Sequence, residues 1–394
     1  MNVKNATDVL FATTVTSRRP PVPELVLIAK AKLDWVPDGV MTLCEGIPQL
    51  VQGPLEHDVY APDDEERTGA ILRPSDFAQF KPHGEVMLTG SCHTPRGRRA
   101  SELGVKIAVG RWSKSLRVLG DREKGTKPAD AKTFTTLPLD YAHAYGGAGH
   151  PLNPVGKGHA DKALPNVTDP SDTDKPPRPA SFAPLNPPWP QRASRMGTRY
   201  DERSFAERFP FYAEDFDWRH FQAAPSDQWI DGFWKGDETI TLTNLHPEHA
   251  ELTMQLPGLR IRAFVNDDRD RFREVTMVLD TIFLDAEAQT TTLTWRGQTP
   301  IRKVLATDVK TILVAQEKVG DRPKPEDDYR EQLRAFEADP LELEASLPPD
   351  MKEILDALEE EHREPAGPIA EGQRIRLGKT EFEFHLSDDP PTAE

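Results

Sequence analysis

The chain has 394 residues, enough for two to three domains at roughly 150 residues each or one large one, and for a core that needs no covalent staples. Its 65 acidic and 49 basic residues leave a net charge of −16, which opposes general binding to nucleic acid or to an anionic membrane. Two cysteines, Cys44 and Cys92, are too few for a disulfide framework or a cysteine-built zinc site. They read as buried thiols of a cytoplasmic protein; the N-terminus lacks the apolar run of a signal peptide, and no window of about 18 apolar residues predicts a membrane span.

Residues 24–35, ELVLIAKAKLDW, begin apolar on both faces and then alternate, with Ala29, Ala31, Leu33 and Trp35 opposing Lys30, Lys32 and Asp34. That pattern predicts a strand running from a buried centre to a wet edge. Val86 and Leu88 open a short strand, Leu103, Val105, Ile107 and Val109 alternate with smaller or polar residues, and Leu116 and Val118 follow. From residue 20 to about 120 the period is two, with turn residues at intervals of ten or so, which predicts antiparallel β structure.

From 121 to 236 no period survives. Pro165 to Pro190 holds nine prolines in 26 residues, within a chain whose 37 prolines are near twice the usual ~5%. Tyr141, Tyr145, Trp189, Tyr200 and four nearby glycines flank that stretch. Disordered segments are poor in aromatics, so the segment is expected to be an ordered, irregular belt wrapped on the sheets, and long ordered loops of this kind are usually functional.

The β pattern returns at 237. Ile240 and Leu242, then Leu252, Met254 and Leu256, alternate with polar residues around the connector HPEHA and predict a hairpin; 275–284 pairs with 291–295 in the same style, and 309–314 adds a short apolar strand. Residues 321–364 then carry 16 acidic against 6 basic side chains. Tyr329, Leu333 and Phe336 give one short helical stripe; Met351, Ile354, Leu355 and Leu358, after the capping-box-like Asp350 and Glu353, give another. Ile375, Leu377, Phe382 and Phe384 around Gly378-Lys379 predict a closing hairpin. The expected architecture is therefore mainly β: a β block over 1–120, the belt over 121–236, and a β block over 237–315, the blocks being sandwich- or barrel-like. An acidic helical segment with a closing hairpin fills 316–394.

Motifs with a fixed chemistry are absent from the sequence: there is no G-x-S-x-G elbow, no P-loop and no G-x-G-x-x-G, and Gly146-Gly147-x-Gly149 lacks the strand-then-helix context of a phosphate site. His143, His150 and His159 are too widely spaced for a local metal signature, and His246 and His249 fall in a turn. Asp215 and Asp217, with His220 or His143, make the one arrangement that fits a hydrolase acting on glycans or peptides. No catalytic residue, metal or cofactor is assigned.

The ordered series SDFAQFKPHGEVMLTGSCHTP (75–95), RVLGDRE (117–123), PLDYAHAYGGAGHPLNPVGKG (138–158), LPN (164–166), GTRYDERSFAERFPFYAEDFDWRHFQAAPSDQW (197–229) and GDETITLTNLHPEHAELTMQLPG (236–258) resembles a bacterial family catalogued as domain of unknown function 2169. The resemblance spans residues 1–315. Members of that family accompany type VI secretion genes, and the resemblance implies an adaptor or loading chaperone in the cytoplasm. Such a protein would bind a PAAR-like (DUF4150-type) domain or its effector and help mount it on the VgrG spike; an alternative is a structural spike component secreted with the cargo. The residues expected in a partner surface or the belt's architecture are the matching Gly146, Gly147, Asn153, Pro154, Gly156, Gly158, Asp201, Asp215, Asp217, Arg219, Asp227 and Gln228, with Tyr145, which departs from the family's more frequent phenylalanine, and the aromatic anchors Tyr200, Trp218 and Trp229. No nucleic-acid partner and no membrane insertion are expected.

Overall fold

The computed structural model describes residues 1–19, 22–44, 55–61, 64, 66–197, 212–303, 305–338, 374–377 and 380–383. The chain divides into two units, Met1–Leu333 and Arg334–Glu394.

Among the described residues the first unit has three large sheets and three two-stranded ones. In the largest, strands run in the order Trp229–Ile230, Gly84–Thr89, Val278–Asp285, Thr290–Pro300, Val22–Asp34 and Leu10–Arg19, with Thr42–Leu43 pairing the far end of Val22–Asp34. The second orders Val167–Thr168, Trp112–Leu119, Glu102–Val109, Thr239–Thr243 and Glu251–Gln255; the third orders Asn2–Ala6, Val309–Lys318, Leu259–Asp267 and Phe272–Val275. The fold is mainly β, as the period-two patterning predicts.

The two sequence blocks are interleaved rather than side by side. Glu102–Val109 from the first block pairs with Thr239–Thr243 from the second, and Val22–Asp34 pairs along eleven positions with Thr290–Pro300. Two cross-block pairs are parallel: Gly84–Thr89 with Val278–Asp285, and Asn2–Ala6 with Val309–Lys318. A parallel pair needs a long crossover, which the belt and the second block supply. The hairpin around HPEHA forms in the register Ile240↔Met254 and Leu242↔Leu252. Two N-terminal strands, Asn2–Ala6 and Leu10–Arg19, were not expected from their mixed, threonine-rich sequence; their pairing context makes them strands.

Inward side chains of all three sheets share one apolar core, with Leu25, Leu27, Val105, Ile107, Ile240, Leu242, Ile261, Ile312 and Leu293 among its members. The opposite face of the largest sheet is also covered, by loops, and is charged. Lys30, expected on the wet side of its strand, is only 5% exposed and pairs with Asp76 at 2.9 Å. Lys81 pairs with Glu85 at 2.5 Å, and Arg296 pairs with Asp280, all four side chains being almost fully buried. Buried ions persist only with partners and hydrogen bonds, so this face constrains which loops can lie on it.

The helix Glu326–Ala338 follows the stripe of Tyr329, Leu333 and Phe336, and Tyr329 and Leu333 are buried. In the second unit, Arg374–Leu377 pairs antiparallel with Thr380–Glu383, the expected closing hairpin. The second helical stripe (Met351, Ile354, Leu355, Leu358) with its Asp350 and Glu353 start, the Gly378-Lys379 turn and Phe384 lie outside the described residues, as do Tyr200 and Asp201.

Candidate functional site: a groove in the belt

The belt begins with a tight loop. Asp140 caps the 3-10 turn Tyr141–His143, accepting from the His143 amide at 3.1 Å and meeting its ring Nδ1 at 2.7 Å. The chain then doubles back so that Tyr145–Gly146 lies parallel to Lys157–Gly158. Asn153, fully buried, holds the loop closed by donating Nδ2 to the carbonyls of Tyr141 (2.8 Å) and Tyr145 (2.9 Å). A Cβ on Gly146 would stand 2.3 Å from the Asn153 carbonyl, and one on Gly156 would stand 2.4 Å from Asn153 Nδ2 and 2.6 Å from the Ala144 carbonyl. Only glycine permits this approach. Gly146, Gly147, Gly156, Gly158 and Asn153 therefore build the belt, while Pro154 lies exposed on its outer side. Tyr145 is buried with its ring edge-on to His150 at 5.2 Å.

The end of the belt is pinned to two sheets at once. Gln228, fully buried, donates Nε2 to the carbonyls of Val86 (2.7 Å) and Phe182 (3.1 Å) and accepts from Lys114 Nζ at 2.8 Å. Val86 belongs to the seven-stranded sheet and Lys114 to the five-stranded one. Lys114 also reaches the Ser181 carbonyl and the Asp227 carboxylate, each at 2.8 Å. Burial pulls the Lys114 pKa below its ordinary value, and the Asp227 charge opposes that shift. One turn earlier, Gln222 and the Ala224 amide donate to Glu85, which Lys81 neutralises.

These anchors frame a groove of about 610 Å³. Its floor is apolar and buried: Tyr141, Ala180, Leu185 and Ala224. Its walls carry Asp169, Asp172, Asp174 and Asp227 against Arg178 and Arg195, with Trp229 on one side. The Asp172 carboxyl is held below the usual carboxylate range by the amides of Arg178 and Asp174. Trp229 is half-buried, its indole N–H donates to the Ala224 carbonyl at 2.9 Å, His83 stacks on it at 5.4 Å, and the Arg195 guanidinium lies 5.0 Å from its ring centre.

Arg195 also joins the groove to an aromatic cluster. It donates to the Arg219 carbonyl at 3.1 Å, and its own carbonyl accepts from the Asp217 amide at 2.9 Å. Trp218 packs against Tyr212, Phe216 and Phe221 with ring centres 4.8–5.9 Å apart and meets Phe80 edge-on at 6.2 Å. Of these, Phe216 is buried and the others are half-buried. Large aromatic and guanidinium surfaces, half-exposed and held by fixed neighbours, are the usual anchors of protein interfaces.

The structure sorts the expected residues into three sets. Asp227 and Trp229 face the groove, and Trp218 belongs to the adjoining cluster. Gln228, Asn153 and the belt glycines are internal supports. Asp217 and Arg219 form a pair: Arg219 Nε lies 2.9 Å from both Asp217 oxygens, and Asp217 caps the turn Trp218–Phe221 through the Arg219 amide. Burial raises the Asp217 pKa, but these Arg219 bonds outweigh it and hold the carboxyl below its ordinary value. His220 Nδ1 lies 2.9 Å from the Arg192 carbonyl with its pKa lowered by burial, and His143 is paired with Asp140, so the groups of the hydrolase arrangement have structural bonds of their own. Asp215 packs against Gly197. Among the described residues no group of three His, Cys, Asp or Glu is placed to hold a metal ion, and no helix is long and apolar enough to cross a membrane.

Arg195, Arg178, Lys114 and the aspartates of 169–174 escaped sequence reasoning. The run DPSDTD inside the proline-dense stretch is the one sequence signal that marks this wall.

Fold and groove together describe a mainly β scaffold whose irregular belt carries a groove. The chain belongs to the DUF2169 family, described as an uncharacterized protein conserved in bacteria, whose model matches residues 21–296. The matched span takes in the whole belt and both walls of the groove. No curated protein and no solved structure gives a significant match to the chain.

Proposed function

We propose that this protein is a non-catalytic type VI secretion adaptor. In this reading it binds a PAAR-like domain or its attached effector in the cytoplasm, shields that cargo's exposed apolar surface, and hands it to the VgrG spike. Handover is by competition: the spike surface displaces the adaptor by mass action. The observation that supports the reading best is the groove itself, apolar in its floor, mixed in charge on its walls and fixed to two sheets through Gln228 and Lys114. Such a surface suits a polypeptide segment, because it loses little conformational freedom on binding.

The test is co-expression with a PAAR-bearing effector, affinity capture and size measurement. A stable heterocomplex is expected, with capture reduced at least tenfold by Trp229→Ala combined with Arg195→Glu while the variant's thermal unfolding stays near wild type. A chain that never co-purifies with a PAAR-bearing protein contradicts the proposal, and so does capture indifferent to both substitutions.

A further inference from the structure

The short helix Pro190–Ala193 and the turn after it serve two cavities. Gln191, Ser194 and Arg195 line the groove, whereas Arg192 lines a second pocket of about 250 Å³. Arg192 is only 5% exposed. Every other buried Lys, Arg, Asp or Glu among the described residues has an oppositely charged side chain in contact, as Lys30 has Asp76 and Arg262 has Glu317. Arg192 has no such partner among them. A charge held out of water is costly unless it is paired, so this guanidinium is short of one anion.

Backbone carbonyls fix part of its fork. Nε donates to the His220 carbonyl and Nη1 to the Leu185 carbonyl, each at 2.9 Å. A guanidinium carries donors on all three nitrogens, and among the described residues Nη2 has no acceptor. The pocket walls are largely apolar, with Phe77, Pro187, Phe221 and Ala223. His57 and His220 also face it; burial lowers the His220 pKa, which keeps that ring neutral at pH 7. Asp58 is the one carboxylate on the described wall, and it accepts from the Ser75 amide at 2.9 Å. Burial lowers the Arg192 pKa, and the charges of Asp58 and Glu85 oppose that shift through space without touching the guanidinium.

We propose that this pocket binds a carboxylate carried on an apolar residue, with the Arg192 fork holding the carboxylate oxygens. The planar guanidinium matches a carboxylate in two parallel hydrogen bonds. One cation with Asp58 near it suits a single negative charge and not the two of a phosphate. The cavity has room for one terminal residue or a small free acid, and both present the same group. The site does not rest on the cargo reading, because it lies outside the groove.

The experiment is fluorescence anisotropy of the full chain with a labelled tetrapeptide ending in leucine. The free-carboxylate peptide is expected to bind at least about tenfold tighter than the same peptide amidated, and Arg192→Lys to lose about as much. Arg192 also holds two carbonyls, so a second variant guards against misfolding. Asp58→Asn keeps the acceptor for Ser75 and removes the opposing charge; it is expected to tighten binding about threefold, a gain that a merely structural role would not produce. Competition identifies the source. Under this proposal, displacement by N-acetyl-leucine as efficient as by unlabelled peptide marks a small acid, and weaker displacement marks a polypeptide terminus. An amidated peptide that binds equally well overturns the proposal. So do inorganic phosphate that competes as well as N-acetyl-leucine, Asp58→Asn that fails to tighten binding, and a chain that binds neither peptide nor acid.

Discussion

Gln228 is neutral and fully buried, yet it ties the belt to strands of two different sheets. Gln228→Ala would leave Lys114 Nζ one partner short and take a donor from the carbonyls of Val86 and Phe182, the latter keeping only the Leu88 amide, at a cost of about 2–4 kcal/mol. The expected outcome is a lowered denaturant midpoint in equilibrium unfolding; a midpoint within error of wild type would show that the belt is not held there. Trp229→Ala, by contrast, removes a half-exposed ring and should weaken partner capture more than stability. Sequence reading named both residues together because both sit in one motif. It could not separate them, since a loop has no period from which to read which side chain turns inward. The belt glycines were legible as a group, but the reason for Gly156, a Cβ driven into Asn153, needs the fold.

At the scale of elements, the docking of the helix Glu326–Ala338 shows how far a stripe can be read. Tyr329 and Leu333 mark its buried face in the sequence, and both are buried. The ionic part of the contact is not visible there. Glu317, near the end of Val309–Lys318, accepts from Tyr329 Oη (2.6 Å), Arg262 (2.9 Å), the Lys324 amide (2.9 Å) and Arg260. Burial raises the Glu317 pKa, but these donors outweigh it and bring it from 4.5 down to about 2. A carboxyl depressed on folding contributes its full stabilisation above its unfolded pKa and loses it as pH falls through the folded one. The contribution is on the order of 3 kcal/mol and should vanish between pH 5 and 2. Stability measured across that window should fall more steeply in wild type than in Glu317→Gln; parallel slopes would mean the carboxylate contributes nothing by this route. Strand positions with alternating patterns were read correctly from 102 to 119 and from 239 to 255, because one face of each is apolar. Asn2–Ala6 and Leu10–Arg19 were missed because threonine and asparagine carry no such contrast.

For the molecule as a whole, interleaving decides how it folds. Glu102–Val109 and Gly84–Thr89 each take a neighbour from beyond residue 236, so a fragment ending there exposes two open sheets. Residues 1–236 expressed alone are expected to lack the near-ultraviolet circular dichroism of fixed aromatic packing; a fragment that retains it would show the first block to be a domain in its own right. The mainly-β class was legible from periodicity, whereas the mixing of blocks was not, because strand pairing over such distances leaves no local trace. Hydrogen–deuterium exchange of the full chain, alone and in complex with a PAAR-bearing effector, tests the groove most directly. Binding should slow exchange across 169–180, 190–195 and 224–229 and leave 239–255 unchanged. Slowing confined to other parts of the chain, with the groove exchanging as in the free protein, would contradict its assignment as the binding surface.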